Sequence, residues 1–204
     1  MICWSCEREA GGGPVCAACG AVQPPDVAAD HFAVLGVDAR FAIDLGDLEA
    51  RYKDLSRRLH PDRFAKADPR ARRASLERTV QLNEAWRTLR DPVRRVEYLL
   101  GRAGVKLAAD ELPPRMLAEI LELREELAEA RAGHDDAKVR RMAADVQGRA
   151  DRAMRLIAAG HDGGTAAGLA VAARELAALR YWRRFLDEVE AHEERRAEAG
   201  GHAG

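Results

Sequence analysis

The chain has 204 residues, of which 47% are hydrophobic, 5% aromatic and 33% charged, a composition that is ordinary for a helical protein. Strand signals are scarce, and no apolar run approaches the roughly 20 residues that cross a bilayer. The formal net charge of −1 argues against nucleic acid as the main partner. We therefore expect an all-α protein that binds neither nucleic acid nor a membrane. Because nothing at the amino terminus looks like a signal or transit peptide, we expect a cytoplasmic location.

The first 24 residues hold all four cysteines, as two CxxC pairs: Cys3, Cys6, Cys16 and Cys19. Two thiolate pairs on tight turns can meet as a tetrahedral S4 site, which suits a structural zinc ion. The segment is too small for a core of its own, so the metal would supply its folding energy. Two disulfides, an iron–sulfur cluster and a redox dithiol are the alternatives, and disulfides suit a reducing cytosol poorly. We predict a zinc knuckle over residues 1–24, followed by a short stiff linker.

A short apolar segment and then a basic amphipathic helix follow the linker. The apolar segment ends at Gly36, and Asp44 and Asp47 are the candidate caps of the next helix. One face of that helix is apolar, because large side chains recur at steps of four, three and four: Leu48, Tyr52, Leu55 and Leu59. The basic residues on its other faces are Arg51, Lys53, Arg57 and Arg58.

The tripeptide His60-Pro61-Asp62 ends the basic helix. Pro61 has no N–H and disfavours helical geometry at His60, so we expect His60 and Asp62 on a stiff, exposed turn. A second amphipathic helix begins after Pro69 and closes at Asp91-Pro92, and the two helices can pack as an αα-hairpin. The predicted core of this hairpin consists of Phe41, Leu55, Leu59, Leu82, Trp86 and Leu89.

The run from His31-Phe32 through the basic helix, the His-Pro-Asp turn and Asn83-Glu84-Ala85-Trp86 to Tyr98-Leu99-Leu100 resembles a J-domain. More narrowly, it resembles the J-domain of the Jac-type (HscB) family of iron–sulfur co-chaperones. The resemblance implies that the basic helix docks on the acidic ATPase surface of a DnaK/HscA-type chaperone and that the turn biases this chaperone towards hydrolysis. The chaperone-binding residues implied in this way are His60, Pro61, Asp62, Arg51, Lys53, Arg57, Arg58 and Arg63.

The charge distribution agrees with a protein partner for this segment. Residues 31–100 carry fifteen Lys and Arg against eleven Asp and Glu, whereas the segments before and after are net acidic. This modest excess suits an acidic protein surface better than a phosphate backbone, for which a denser basic stripe with stacking aromatic residues is typical.

Three further helices are predicted after a short helix over Val93–Leu100 and a joint over residues 104–114. Their predicted bounds are Arg115–Arg131, Asp136–Ala159 and Thr165–His192, and their apolar stripes favour a three-helix bundle. In the first of them, Leu117 and Leu121 form a second stripe beside the inward one. This second stripe is either part of a wide buried face or an exposed patch for a partner. The inward stripe consists of Met116, Ile120, Leu123 and Leu127.

HscB-like proteins present such a patch to the iron–sulfur scaffold protein IscU, and the resemblance runs through residues 121–126. Ala118 departs from it, because a larger apolar residue at this position would add contact. The scaffold-binding residues implied are Leu117, Ala118, Leu121, Glu122, Arg124, Glu125 and Tyr181.

Taken together, the sequence predicts a zinc knuckle (1–24), a helical-hairpin J-domain (30–101) and a three-helix bundle (114–195). The function that the resemblance implies is delivery of IscU to a DnaK/HscA-type chaperone and stimulation of its ATPase. A general J-domain co-chaperone for unfolded clients is the alternative. We expect no enzyme activity, because no phosphate-binding Gly-rich loop is present and no nucleophile accompanies His60 and Asp62.

Overall fold

The structure, a computed structural model, describes residues 1–106 and 112–201. Within these ranges the chain forms seven α-helices, one 3₁₀ turn and two isolated β-bridges but no strand, which confirms the all-α prediction. None of these helices is long and apolar enough to span a membrane. The helices are α1 (His31–Leu35), α2 (Leu45–Leu59), α3 (Pro69–Arg90), α4 (Pro92–Arg102), α5 (Pro114–Ala132), α6 (Asp136–Asp162) and α7 (Ala166–Gly201).

The chain divides into two compact units, Met1–Arg95 and Val96–Gly204. In the first unit, side-chain caps fix where the helices begin. The Asp44 carboxylate accepts the amides of Gly46 and Asp47 at 2.8 and 3.1 Å, so Asp44 caps α2 as predicted. Asp47, the other candidate cap, lies in the first turn of α2 instead. Asp68 caps α3 in the same way, and Pro69 occupies the first helical position.

The core of the first unit lies among α1, α2 and α3. Two of the predicted core residues, Leu55 and Trp86, are only half-buried. Trp86 stacks on Tyr52 with 4.8 Å between ring centroids, and the Tyr52 hydroxyl bonds to Asn83 at 3.0 Å, so this pair closes the edge of the hairpin. The fully buried large side chains of this core are Phe32, Leu35, Leu48, Leu82 and Leu89.

In the second unit, α6 and α7 cross at two glycines. A Cβ on Gly160 or on Gly168 would lie 2.4 Å from the carbonyl oxygen of the other glycine, so only glycine fits at this crossing. The predicted end of α6 at Gly160 is therefore wrong, because this glycine allows close packing and α6 continues to Asp162. Five apolar residues of α6 at helical spacing are all buried: Val139, Met142, Val146, Ala150 and Ile157.

Two other predicted ends also differ from the structure. Gly101 lies inside α4, which continues to Arg102. α7 extends beyond the predicted end at His192, where an ion pair of Arg196 with Asp136 joins it to α6. Part of the predicted joint (107–111) and the last residues of the predicted frayed tail (202–204) lie outside the described residues.

Candidate functional site

The four cysteines lie on two turns that repeat the same backbone geometry. In the first turn, the amide of Cys3 donates to Arg8 and the amide of Glu7 donates back to Cys3, at 2.8 and 3.0 Å. In the second turn, the amide of Cys16 donates to the carbonyl of Ala21 and the amide of Gly20 donates to the carbonyl of Cys16, both at 2.9 Å. The residue after the second cysteine of each pair has positive φ, 58° for Glu7 and 75° for Gly20. This left-handed residue lets each chain segment curl back under its thiols.

The four Sγ atoms lie within 4.8 Å of one another. Cys3 Sγ is 3.6 Å from Cys19 Sγ, and Cys6 Sγ is 3.8 Å from Cys16 Sγ. A tetrahedral ion with metal–sulfur bonds of about 2.3 Å separates its sulfur ligands by about 3.8 Å. The cluster therefore fits one four-coordinate metal ion, and the prediction that these thiols meet is confirmed.

The protein environment shifts the thiol pKa values in opposite directions. Burial raises the pKa of Cys3, but hydrogen bonds from the backbone of Cys6 and Ser5 and from neighbouring thiols outweigh burial and lower it to about 6. At Cys19, the backbone bond from Ala21 lowers the pKa, but burial and the other thiols raise it to about 11. A metal ion that binds here must displace the thiol protons.

The His-Pro-Asp turn is exposed and ordered by its own atoms. His60 Nδ1 accepts the amide of Asp62 at 3.3 Å, so a neutral His60 ring carries its proton on Nε2. The side chains of His60 and Asp62 are 54% and 91% exposed, as predicted for a working tip. Pro61 opens a 3₁₀ turn over Pro61–Phe64, where its missing N–H is not needed.

Two hydroxyl groups of α3 hold the end of α2. The amide of Arg63 donates to the carbonyl of His60 and not to that of Leu59, four residues back. The carbonyl of Leu59 instead accepts the hydroxyls of Ser75 and Thr79, at 2.6 and 3.3 Å. Ser75 is buried. Sequence reasoning missed both residues, although two hydroxyls one turn apart beside the apolar stripe of α3 are the signal that would have found them.

All five predicted basic docking residues are exposed, and four of them pair with acidic residues of α2. Arg51 bonds to Asp47 and to the carbonyl of Gly36, both at 2.8 Å, so it also braces the turn after α1. Exposed pairs of this kind contribute little stability and exchange easily for a partner's carboxylates. The other contacts are Lys53 with Glu49, Arg57 and Arg58 with Asp54, and Arg63 with the carbonyl of Arg57.

The two apolar stripes of α5 differ in exposure. Ile120 and Leu127 are 6% and 1% exposed, whereas Leu117 and Leu121 are 44% and 55% exposed. The prediction of a second, outward stripe is confirmed, and the alternative of a wide buried face is wrong. Met116 and Leu123, assigned to the inward stripe, are half-buried. The remaining α5 residues assigned to the patch are also exposed: Ala118, Glu122, Arg124 and Glu125.

Contacts between α5 and α7 place Tyr181 beside this patch. Arg124 pairs with the carboxylate of Glu188, and Arg131 donates to the carbonyl of Glu188 at 2.5 Å. Tyr181 is half-buried and lines a small cavity of about 40 Å³ together with Leu123 and Arg124. The structure thus brings Arg124 of α5 and Tyr181 of α7, both predicted scaffold-binding residues, together in the second unit.

Family models match both units of the chain. Residues 30–98 match the DnaJ domain, and residues 112–190 match the domain described as the HSCB C-terminal oligomerisation domain. Among solved structures, human co-chaperone protein HscB is 26% identical with a TM-score of 0.81, covering 95% of this chain and 98% of that one. Chaperone HscB from Vibrio cholerae is 28% identical with a TM-score of 0.74, covering 82% of this chain and 99% of that one.

A helical hairpin with an exposed His-Pro-Asp turn, followed by a helical bundle, defines a J-domain co-chaperone. The second domain match and the two solved structures narrow this class, and the chain belongs to the HscB family of iron–sulfur cluster co-chaperones. Its partners are accordingly of two general kinds, an Hsp70-type chaperone and a scaffold protein.

Proposed function

We propose that the protein delivers an iron–sulfur scaffold protein of the IscU type to a DnaK/HscA-type chaperone and stimulates the ATPase of that chaperone. The observation that carries this proposal is the outward stripe of α5. Leu117 and Leu121 remain exposed on a helix whose neighbouring stripe is buried, in a chain whose other unit exposes a His-Pro-Asp turn. One chain thereby offers a surface for each partner.

The chaperone side of the proposal rests on the turn and the basic helix before it. The bond from the Asp62 amide uses Nδ1 of His60 and leaves Nε2–H to donate to a partner, while the Asp62 carboxylate, which lies 3.6 Å from Nδ1, is 91% exposed to one. Arg57, Arg58 and Arg63 surround the turn with exposed positive charge. Such charge speeds encounter with an acidic surface and fixes orientation more than it adds affinity.

The scaffold side of the proposal rests on an apolar patch with a charged rim. Leu117 and Leu121 supply the apolar centre, and Glu122, Arg124 and Glu125 supply the rim. Protein interfaces are commonly built in this way, with most of the binding energy at the desolvated centre. Arg124 also pairs with Glu188 on α7, and because this ion pair is exposed, Arg124 can exchange it for a carboxylate of the scaffold.

Zinc is the metal that we propose for the cysteine cluster. Four thiolates at tetrahedral separations are the donor set of a structural zinc site, with no position left for a substrate. The ion would be held by Cys3, Cys6, Cys16 and Cys19. Its binding free energy would drive folding of the segment, and it would supply no reaction chemistry. We assign no catalytic residue to this chain, and a cytoplasmic location stays a prediction from the sequence.

Calorimetric titration of the full chain tests the scaffold assignment directly. We expect an IscU-type scaffold to bind and a permanently unfolded polypeptide not to compete. The double variant Leu117→Ala/Leu121→Ala should bind the scaffold at least about tenfold more weakly, because desolvated anchors each contribute about 2 kcal/mol. Equal binding of the unfolded polypeptide, with no effect of the double variant, would instead favour a general J-domain co-chaperone.

A further inference from the structure

Side chains of α3 bind backbone carbonyls at the end of the cysteine module (residues 1–24) and in the linker that follows it, all within the first unit. Arg78 donates from Nε to the carbonyl of Gln23 at 3.0 Å and from Nη2 to the carbonyl of Pro24 at 2.8 Å. One turn further along α3, Gln81 donates to the carbonyl of Asp26 at 2.9 Å. These bonds fasten the linker that follows the four cysteines to the middle of α3.

Gln23 also belongs to the cysteine cluster. Its side chain is 1% exposed, and Nε2 donates to Cys3 Sγ at 3.3 Å and to the carbonyl of Ala21 at 2.8 Å. The backbone carbonyl of the same residue is the acceptor for Arg78. One residue thus contacts a metal-ligating thiol with its side chain and α3 with its backbone.

The turn of α3 that carries Arg78 also carries the residues that hold the His-Pro-Asp turn. Ser75 and Thr79 donate to the carbonyl of Leu59, which immediately precedes His60. Residues one turn apart on a helix move together, because backbone hydrogen bonds join each turn to the next. Contacts therefore run continuously from Cys3 through Gln23, Arg78 and α3 to the end of α2.

We propose that Arg78 is a positioning residue through which the cysteine module braces α3, so that a bound metal makes the His-Pro-Asp turn more rigid. Arg78 is half-buried, and burial lowers its pKa against the opposite effect of Asp26. A guanidinium taken out of water needs its acceptors, and both acceptors lie on the linker that the metal-held knuckle fixes. Loss of the metal would release the linker and leave Arg78 without them.

Hydrogen–deuterium exchange on the full chain tests this coupling without any chaperone or scaffold, and so independently of the proposed function. In the wild-type protein, removing the metal with a chelator should speed amide exchange in residues 69–90 and in the turn over residues 60–64 by roughly tenfold. One hydrogen bond from a charged donor is worth about this factor, so about tenfold is the lower bound for the loss of two. Elemental analysis of the same samples gives the metal content.

The variant Arg78→Ala should keep its metal, exchange as fast as the metal-free wild type in these segments, and respond to the chelator by less than about twofold. Arg78→Lys keeps the charge but cannot reach both carbonyls at once, so its exchange should be intermediate. Arg73→Ala is the matched control, because Arg73 lies on the same helix and bonds to Glu77 there; this variant should respond to the chelator as the wild type does.

Two results would overturn the proposal. In the first, the chelator speeds exchange in residues 1–24 of the wild type but leaves residues 60–64 and 69–90 unchanged, which would show that the module does not brace the J-domain. In the second, Arg78→Ala responds to the chelator as strongly as Arg73→Ala, which would show that the coupling does not pass through Arg78.

Discussion

His60 is held by backbone atoms and contributes few contacts of its own. Its ring accepts one amide bond, from Asp62, and more than half of its side chain is exposed. The geometry of the turn comes instead from Pro61 and from the carbonyl of Leu59, which Ser75 and Thr79 anchor. The ring can therefore change its chemistry while the turn that carries it keeps its shape.

We accordingly predict that His60→Gln changes the free energy of unfolding by less than about 0.5 kcal/mol, as is usual for an exposed site. The same variant should lose stimulation of the partner chaperone's ATPase, because the flexible glutamine amide cannot accept the Asp62 amide and at the same time hold a donor in the fixed position of Nε2–H. Urea denaturation and steady-state ATPase rates measure the two effects. Asp38→Asn, which alters an exposed ionisable side chain elsewhere in the first unit, is the control and should stimulate the chaperone's ATPase normally.

The sequence predicted the residues whose role follows from their spacing along the chain, and it did not predict those whose role depends on tertiary contacts. The CxxC pairs and the His-Pro-Asp turn have fixed spacings, so their positions could be predicted. Ser75 and Arg78 occupy ordinary helical positions, and only the approach of Leu59 and Gln23 gives them a role. Trp86 was assigned to the core because it lies at helical spacing from Leu82 and Leu89, yet it stacks on Tyr52 and is half-buried.

Helix α5 carries one buried and one exposed apolar stripe, so truncating a side chain to alanine should lower the free energy of unfolding by different amounts in the two stripes. Ile120→Ala and Leu127→Ala remove buried side chains and should each cost about 2–5 kcal/mol of unfolding free energy. Leu117→Ala and Leu121→Ala remove exposed side chains and should each cost under about 1 kcal/mol. Thermal and urea denaturation of the four variants checks this. A cost above about 2 kcal/mol for Leu121→Ala would contradict the exposure of its stripe.

The crossing of α6 and α7 predicts a large effect of adding one methyl group. Gly160→Ala would place a Cβ 2.4 Å from the carbonyl oxygen of Gly168, so the helices must separate, and we expect a loss of about 1–3 kcal/mol. Gly148→Ala, in the same helix but with nothing within 4 Å, is the control. It should stabilise the protein by about 0.5–1 kcal/mol, since alanine is the better helix former. Equal stabilities for the two variants would contradict the close crossing.

The existence of helices α2 to α7 could be predicted, whereas the helical form of α1, the 3₁₀ turn after Pro61 and several helix ends could not. Periodicity of large apolar residues predicted the cores of α2, α3 and α6. The predicted ends at Leu100 and Ala159 each precede a glycine, but a glycine inside a helix can equally mark open surface or close packing. Nothing local distinguishes these cases, because the difference lies in what the neighbouring helix brings to that position.

For the molecule as a whole, we predict one zinc ion per chain and a limited effect of its removal. Since the described residues of the two units contain their own helical cores, a chelator should unfold residues 1–24 and leave most of the helical circular dichroism in place. Elemental analysis and circular dichroism measure these outcomes. Cys6→Ser/Cys19→Ser should behave like the chelated protein, and a metal-free sample whose first 24 residues remain protected from exchange would refute the metal's structural role.

Composition alone was sufficient for the fold class of the whole molecule, and the His-Pro-Asp context for its superfamily. The bracing of the cysteine module on α3 could not be predicted, because it depends on backbone carbonyls of the linker, which carry no sequence signal. From the sequence alone, Arg78 and Gln81 are expected to be ordinary solvent-exposed polar residues. Their role follows only from their acceptors on Gln23, Pro24 and Asp26.

The central claim is that one chain couples a scaffold protein to a chaperone through two separate surfaces. The most direct test is the chaperone's steady-state ATPase rate, measured with the full chain in the presence and absence of an IscU-type scaffold. We predict that Leu117→Ala/Leu121→Ala retains the stimulation seen without scaffold and loses the additional stimulation that the scaffold gives to the wild type. A double variant that keeps the full scaffold-dependent increase would contradict the claim.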